Sequence, residues 1–496
     1  MIGGRSQRVL RSTLPAAVAV LVTAAAELLL PASAFAHASL IEREDLPLPE
    51  ELFIYGALVV VVVSFVGLLL GWQRPHFENA PSRPAATWLS AALLNPAVGT
   101  ACGLIGVALT ALVVYAGLEG TAAPDRNFAV TFVTVTFGLG MIVVSVFLGD
   151  VFRAFNPWRA VGRFVSAAFT RLAGQRAPTP LAYPEWLGRW PAVVGLVGFL
   201  FLELVWGQTG FGLVGLEPRA VAIATLVYSA FTFTAMALFG VERWTDRGET
   251  FSQYFGMFAS LSPLAVEDGA LRLRRPLSAA TKWVGTTAGS LALVLVSIGG
   301  TTFDGAQEGV LKSAIRSLFQ RLQDGGLDPV AALRIANSVY LVLSLLVVAA
   351  IFWAGIQGMR IVERDRSARQ LGRDFAHAFI PIALAYLVAH YFSYVVYLEQ
   401  AQFSFLLSNP LGAPGTDIFG TADSGIDYGV VGGGLIQWVQ FFSIVIGHVI
   451  ALALGHDRAL AIWGNTRDAA WSQLWMLVMM MFFSVLGLYL LSQANA

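Results

Sequence analysis

The chain has 496 residues, of which 56% are hydrophobic and only 12% charged, with Lys and Arg balancing Asp and Glu at 31 each. Soluble domains carry about 25% charged residues, so the composition argues against a string of soluble domains and for a polytopic membrane protein. A single cysteine, Cys102, excludes a disulfide framework or a Cys-based zinc site within one chain.

At the start, Arg5, Arg8 and Arg11 precede an apolar core and the string ASAFA. This is the layout of a secretory leader with small residues Ala34 and Ala36 at an A-x-A site, so residues 1–36 are expected to be removed. Cleavage there would leave His37 as the new N-terminus. Its amine and imidazole could chelate a metal such as copper, or His37 could simply be the residue that follows the site.

Runs of about 20 apolar residues, enough to cross roughly 30 Å of hydrocarbon, lie near 52–71, 96–117, 127–148, 191–214 and 218–240. Five more lie near 283–300, 336–358, 374–397, 434–455 and 470–492. The expectation is an all-α bundle of about ten transmembrane helices, forming one domain over residues 37–496 and embedded in the lipid bilayer of the plasma membrane. Lys and Arg stay on the cytoplasmic side. The Arg-rich segments 149–190, 241–282 and 359–373 then fall inside, the acidic, Gly-rich segment 398–433 falls outside, and both mature ends are extracytoplasmic.

Two of the inner segments look alike. GDVFRAFNPWRAVGRF and FSQYFGMFASLSPLAV each space aromatics along a short run that ends in a proline turn, which suits helices lying at the headgroup boundary. Asp150, Arg153 and Arg159 are expected to form an interfacial charge network. No Walker loop, dinucleotide fingerprint or H-E-x-x-H occurs. The basic residues are spread over membrane-flanking loops, so nucleic acid is not expected as a partner; a small lipophilic molecule or a metal ion is.

Chemistry is expected in the stretch 373–458, which holds four of the six histidines in two apolar segments. Ionisable side chains inside the membrane are costly and mark functional sites. Asp374 and His377 are three apart on one helix face, and Pro381 should kink that helix and free the His377 carbonyl. From the helical rise, His390 lies roughly 6 Å outside the midplane and His448 roughly 5 Å inside it, while His377 and His456 are level at the inner mouth. His377, His390, His448 and His456 are therefore candidate ligands for a divalent metal, with Asp374 or Asp457 as orienting carboxylates. For His456 and Asp457 the alternative is a capped helix end. Glu203, within GFLFLELVWGQ, is either a proton acceptor or a hydrogen-bonded structural carboxyl. Asp304, placed in an outer loop by TTFDGAQEG, is either a ligand or a turn residue before Gly305. Asp374, Glu203 and Asp304 are the candidate catalytic carboxylates.

HASLIEREDLPLPEELFIYG at the mature start resembles the opening of polytopic membrane proteins, frequent in actinobacteria, that carry the name fenitrothion hydrolase. The resemblance continues through FLGDVFRAFNPWRAVGR, LAYPEWLGRWPA, FAHAFIPIALAYLVAHYFSYVVY, GTDIFGTADSGIDYGV and GHVIALALGHDRAL, nearly the whole mature chain. Ala38 stands where the pattern usually has Gly. The resemblance implies hydrolysis of an organophosphorus triester, a lipophilic substrate able to reach a membrane-embedded site, and such hydrolysis commonly uses a metal-activated water. A multi-pass transporter or metal-handling protein is the competing class, argued from the helix count, the Pro381 kink and the midplane histidines. A bis-histidine haem between the last two histidine-bearing helices is disfavoured, because His390 and His448 differ in depth by about 10 Å.

Overall fold

The computed structural model describes residues 50–78, 80–173, 180–208, 216–362, 365–464 and 466–494. The leader and His37 lie outside the described residues. Eight helices among the described residues are long and apolar enough to cross a membrane. They are α1 (Ile54–Gly71 of a helix starting at Glu50), α3 (Pro96–Glu119), α4 (Phe128–Leu148), α8 (Pro218–Phe239), α14 (Pro329–Ile361, extending to Val362), a broken helix over Ala368–Leu406, α17 (Gly433–Trp463) and α18 (Trp471–Leu490 of a helix starting at Thr466). Two further apolar helices are shorter or more polar: α7 (Trp190–Trp206) and α12 (Ser290–Gln307).

The connecting elements are α2 (Thr87–Leu93), α5 (Phe152–Phe155), α6 (Pro157–Ala173), α9 (Val241–Arg247), α10 (Thr250–Ala259), α11 (Ala280–Val284) and α13 (Lys312–Asp324). The only sheet among the described residues has the order β1–β3–β2, built from Arg83–Pro84, Leu264–Glu267 and Ala270–Leu273. Its hairpin turns at Asp268 and Gly269, both at positive φ, as a tight Asp-Gly turn requires.

The broken helix consists of α15 (Ala368–Ala376), one tighter turn at His377–Phe379, and α16 (Ile380–Ala401). The irregular turn sits where Pro381 predicts it, since proline cannot donate to the carbonyl four residues earlier, but the His377 carbonyl is not left free: the tighter turn lets it accept from the Ile380 N–H. α16 packs on α17, α17 on α18, and α1 against both α17 and α18. A Cβ at Gly447 would overlap Ala385 and press on the Pro381 carbonyl, so α17 and α16 cross in backbone contact there. Gly447→Val is therefore expected to destabilise the protein by about 1–3 kcal/mol through overpacking, seen as a lower thermal midpoint in detergent. An unchanged midpoint would mean that this crossing is loose.

Two expectations change. The span foreseen at 283–300 runs instead over 290–307, because Gly285 and Gly289 adopt positive φ and break the chain before Ser290. The shift carries Asp304 out of the foreseen loop and into the helix. Of the two aromatic segments, α6 is amphipathic, with Phe164, Val165 and Leu172 exposed. α10, by contrast, is buried in the core along nearly its whole length. α10 packs against α4, α7 and α16, and its buried polar side chains are satisfied inside, Ser252 by Asn156 and Gln253 by Arg189 and the Thr245 carbonyl. The two segments meet directly, with Asn156 Nδ2 donating to Ser252 Oγ at 3.0 Å and Phe152 edge-on to Phe255 at 5.1 Å. A charge network is present at this basic end, but its acids are not the foreseen Asp150: Glu242 takes Arg153 at 2.9 Å and Arg159 at 3.0 Å and Asp246 takes Arg153 at 2.5 Å, while Asp150 accepts from the Arg153 backbone N–H at 3.3 Å.

Candidate functional site

Three residues singled out in the sequence gather in the middle of the bundle: Glu203, Asp304 and His390. Asp304 lies on α12, opposite His390 and Tyr391 on α16. Its Oδ2 is 2.8 Å from His390 Nε2 and accepts from the Tyr391 hydroxyl at 2.5 Å, while Gln307 Nε2 donates to Oδ1 at 2.6 Å. With Asp304 ionised, the His390 nitrogen that faces it, Nε2, is the donor. The two side chains are only 20% and 15% exposed, so the pair is largely screened from solvent.

Glu203 comes from α7, where the helix widens into a π turn over Leu202–Trp206. A second π segment, Phe132–Gly140, interrupts α4 and carries Thr134 and Gly138. Such bulges cost helix hydrogen bonding and recur at functional sites. Glu203 and Thr134 line a cavity of about 20 Å³ together with Tyr254, Ser297, Thr301 and Tyr391. One water needs roughly 10–15 Å³ of such space, so the cavity has room for one water. Glu203 lies within electrostatic reach of both Asp304 and Tyr254. The chemical elements of a proton path are thus contiguous: a carboxyl, a water-sized gap, a phenol, a second carboxyl and an imidazole.

Tyr391, Tyr254 and Gln307 were not foreseen. Tyr391 has a signal in the sequence, a phenol inside an apolar span beside His390. Tyr254 has none that reading could use, since its segment looked interfacial and only its burial brings it to the cavity.

The other candidates lie elsewhere. His456 has both ring nitrogens engaged, Nε2 with the Trp72 carbonyl at 2.9 Å and Nδ1 with Gln473 Oε1 at 3.2 Å. Asp457 accepts from Trp72 Nε1 at 3.0 Å and from the backbone N–H groups of His76, Phe77 and Glu78. Arg458 bridges Glu78 at 2.6 Å and Asp374 at 2.7 Å, and Asp374 also holds Arg366 at 2.9 Å. This end of α17 is a clamp on residues 72–78, and Asp374 belongs to it instead of orienting a histidine. His448 is fully buried, with Nδ1 on the Ile444 carbonyl at 2.8 Å and Nε2 unpartnered. His377 is buried with Nδ1 unpartnered. Among the described residues, no group of three or more His, Cys, Asp or Glu could hold a metal ion, so the geometry gives no support to a metal centre built from the four histidines.

At the opposite end of α16, the acidic loop is ordered by its own residues. The Ser408 hydroxyl donates to Asp417, which also accepts from Thr421 N at 2.9 Å and Ala422 N at 3.1 Å. The Ser408 hydroxyl first, and then these backbone donors, hold the Asp417 carboxyl below its ordinary range. A carboxyl lowered on folding contributes order that is present above its unfolded value and is lost as pH falls through the lowered folded value. Asp417→Ala is expected to speed hydrogen exchange across 408–422 at neutral pH, and acidification of the wild type to do the same. Equal exchange in wild type and variant at neutral pH would contradict this.

An apolar groove of about 750 Å³ lies beside the small polar cavity, between α3, α4, α7 and α8. Phe199 lines both spaces. No family model, curated protein or solved structure matches the chain.

Proposed function

We propose that the chain is a ten-span plasma-membrane protein, cleaved after Ala36 with both mature ends outside, whose function turns on proton transfer at Glu203, Asp304, His390 and Tyr391. The count of ten adds α7 and α12 to the eight longer spans, and it sends the Arg-rich segments to the cytoplasmic side as charge retention demands. The observation that carries the reading is the shared position of Tyr391, which lines the water-sized cavity with Glu203 while its hydroxyl bonds to Asp304, itself bonded to His390.

In this reading Glu203 exchanges a proton with the water in the cavity. A proton taken up at His390 Nδ1 releases the Nε2 proton to Asp304, which passes it to the Tyr391 oxygen as Tyr391 gives its own hydroxyl proton toward the cavity and Glu203. Such chains of buried acids and imidazoles are what proton-coupled transporters place between their helices. The test is a proteoliposome assay with a trapped pH dye under an imposed solute or proton gradient. Glu203→Gln and Asp304→Asn should each reduce proton movement at least tenfold while His448→Ala leaves it intact. Unaltered movement in both carboxylate variants would sink the relay.

A second reading keeps the same cluster and makes it hydrolytic, on a lipophilic organophosphorus triester. The resemblance to fenitrothion hydrolases favours it, as does an apolar groove of substrate size next to the cluster. His390, oriented by Asp304, would then be the general base that deprotonates water. Triester hydrolysis by purified protein that is lost in His390→Ala and Asp304→Ala would favour this reading over transport.

A further inference from the structure

We infer that the groove between α3, α4, α7 and α8 is a binding site for a neutral lipophilic molecule entering sideways from the bilayer, and that Phe199 is the partition between this molecule and the proton-handling cluster. The groove is walled along α7 from Trp190 to Leu202, thirteen residues or about 18 Å of helix. Its rim is open to the lipid side, where Val194 is 69% exposed and Val227 64%. No charged side chain lines it. Its hydroxyls are already spent, Thr110 on the Gly106 carbonyl, Thr225 on the Val221 carbonyl and Tyr228 on Glu249, and the Trp158 indole N–H goes to Ser229.

These observations choose among lipophilic occupants. A phospholipid needs donors for its phosphate. The groove offers only the single indole N–H of Trp190, at its exposed edge, and the guanidinium groups of Arg153, Arg159 and Arg163 nearby are closed on Glu242 and Asp246. A molecule without a charged headgroup needs no such donors and gains from burial at about 25 cal/mol per Å² of apolar area.

Phe199 is placed to separate the two spaces. Its ring is edge-on to Phe251 in the groove at 5.6 Å, and its far edge lies where a Cβ on Gly138, in the wall of the polar cavity, would meet it at 3.3 Å. Rotation of one ring would therefore join the groove to Glu203. The binding claim stands by itself; what happens beyond Phe199 rests on the proton-transfer reading.

Gly198 provides the test, because a Cβ there meets nothing within 4 Å, so a large side chain can fill the groove without displacing backbone. Protein in nanodiscs would be photolabelled with a neutral long-chain diazirine alcohol or, separately, with a diazirine phosphatidylglycerol, and adducts mapped by mass spectrometry. The alcohol should label residues 190–202 and 224–231, and Gly198→Trp should reduce that labelling at least tenfold while labelling of the exposed α14 face at Val339 and Leu346 persists. Val194→Trp serves as the second plug if the first fails to fold. Phe199→Ala should extend alcohol adducts to 387–391; their absence would overturn the partition. Equal labelling of the groove by phosphatidylglycerol, or labelling untouched by either plug, would overturn the binding site. Glu203→Gln should leave groove labelling unchanged while abolishing proton movement, so failure of the relay and failure of the groove are read separately.

Discussion

Asp304→Ala is expected to be among the most damaging single substitutions in the bundle, lowering stability by about 3–5 kcal/mol, the range for removing one partner of a buried pair, and abolishing proton movement. Three donors converge on this carboxylate: His390 Nε2, the Tyr391 hydroxyl and Gln307 Nε2. Each donor left without a partner away from water costs about 1–3 kcal/mol, and hydrocarbon offers no substitute. Asp304→Asn separates structure from chemistry. The amide oxygen can still accept from Tyr391 or His390, so most of the stability should return, but the amide cannot carry a proton between them. Thermal unfolding in detergent with the proteoliposome assay checks both parts. A stable Asp304→Ala protein would show that the cluster is hydrated and open, contrary to its burial.

Arg189→Ala should be comparably destabilising, by about 3–5 kcal/mol, with no direct effect on the cluster. Its guanidinium is buried at the start of α7, donating to Gln253 Oε1 at 2.7 Å, the Trp283 carbonyl at 2.7 Å and Ser290 Oγ at 2.5 Å, and it stacks 4.1 Å from the Trp283 ring. Hydrogen bonds to a charged group are worth about 1.5–3 kcal/mol each, though the cost of burying the cation offsets part of the sum. One side chain thus ties α7, α10, α11 and α12 together at the basic end. Arg189→Lys should recover little, because an ammonium cannot present the planar fork that reaches all three partners. The check is the thermal midpoint together with hydrogen exchange over 280–290. A midpoint within one degree or so of wild type would refute the tie.

Hydropathy made the helices legible, since burial in hydrocarbon demands long apolar runs whatever the tertiary contacts. It misplaced the start of α12, because the break depends on Gly285 and Gly289 adopting positive φ, which an apolar average cannot register. That one error hid the importance of Asp304, which reads as a turn residue in a loop and as a buried carboxylate in a helix. Glu203 and His390 stood out as ionisable residues in apolar surroundings, but their partnership did not, because residues 203, 304 and 390 come from three separate helices. The histidines at 377, 448 and 456 stood out for the same reason and serve other ends. His456 and Asp457 hold the chain at 72–78, a long-range contact that no local pattern announces. The burial of α10 was illegible because an all-round aromatic segment suits a headgroup boundary as well as a core.

The most direct test of the central claim, that Glu203 and Asp304 exchange protons as one buried unit with Tyr391, is pH-jump infrared difference spectroscopy of the purified protein. A carboxyl C=O difference band is expected that disappears in Glu203→Gln and shifts in both Asp304→Asn and Tyr391→Phe, while Asp374→Asn leaves it in place. A band that is unchanged in Glu203→Gln, or that responds to Asp374→Asn instead, would contradict that claim.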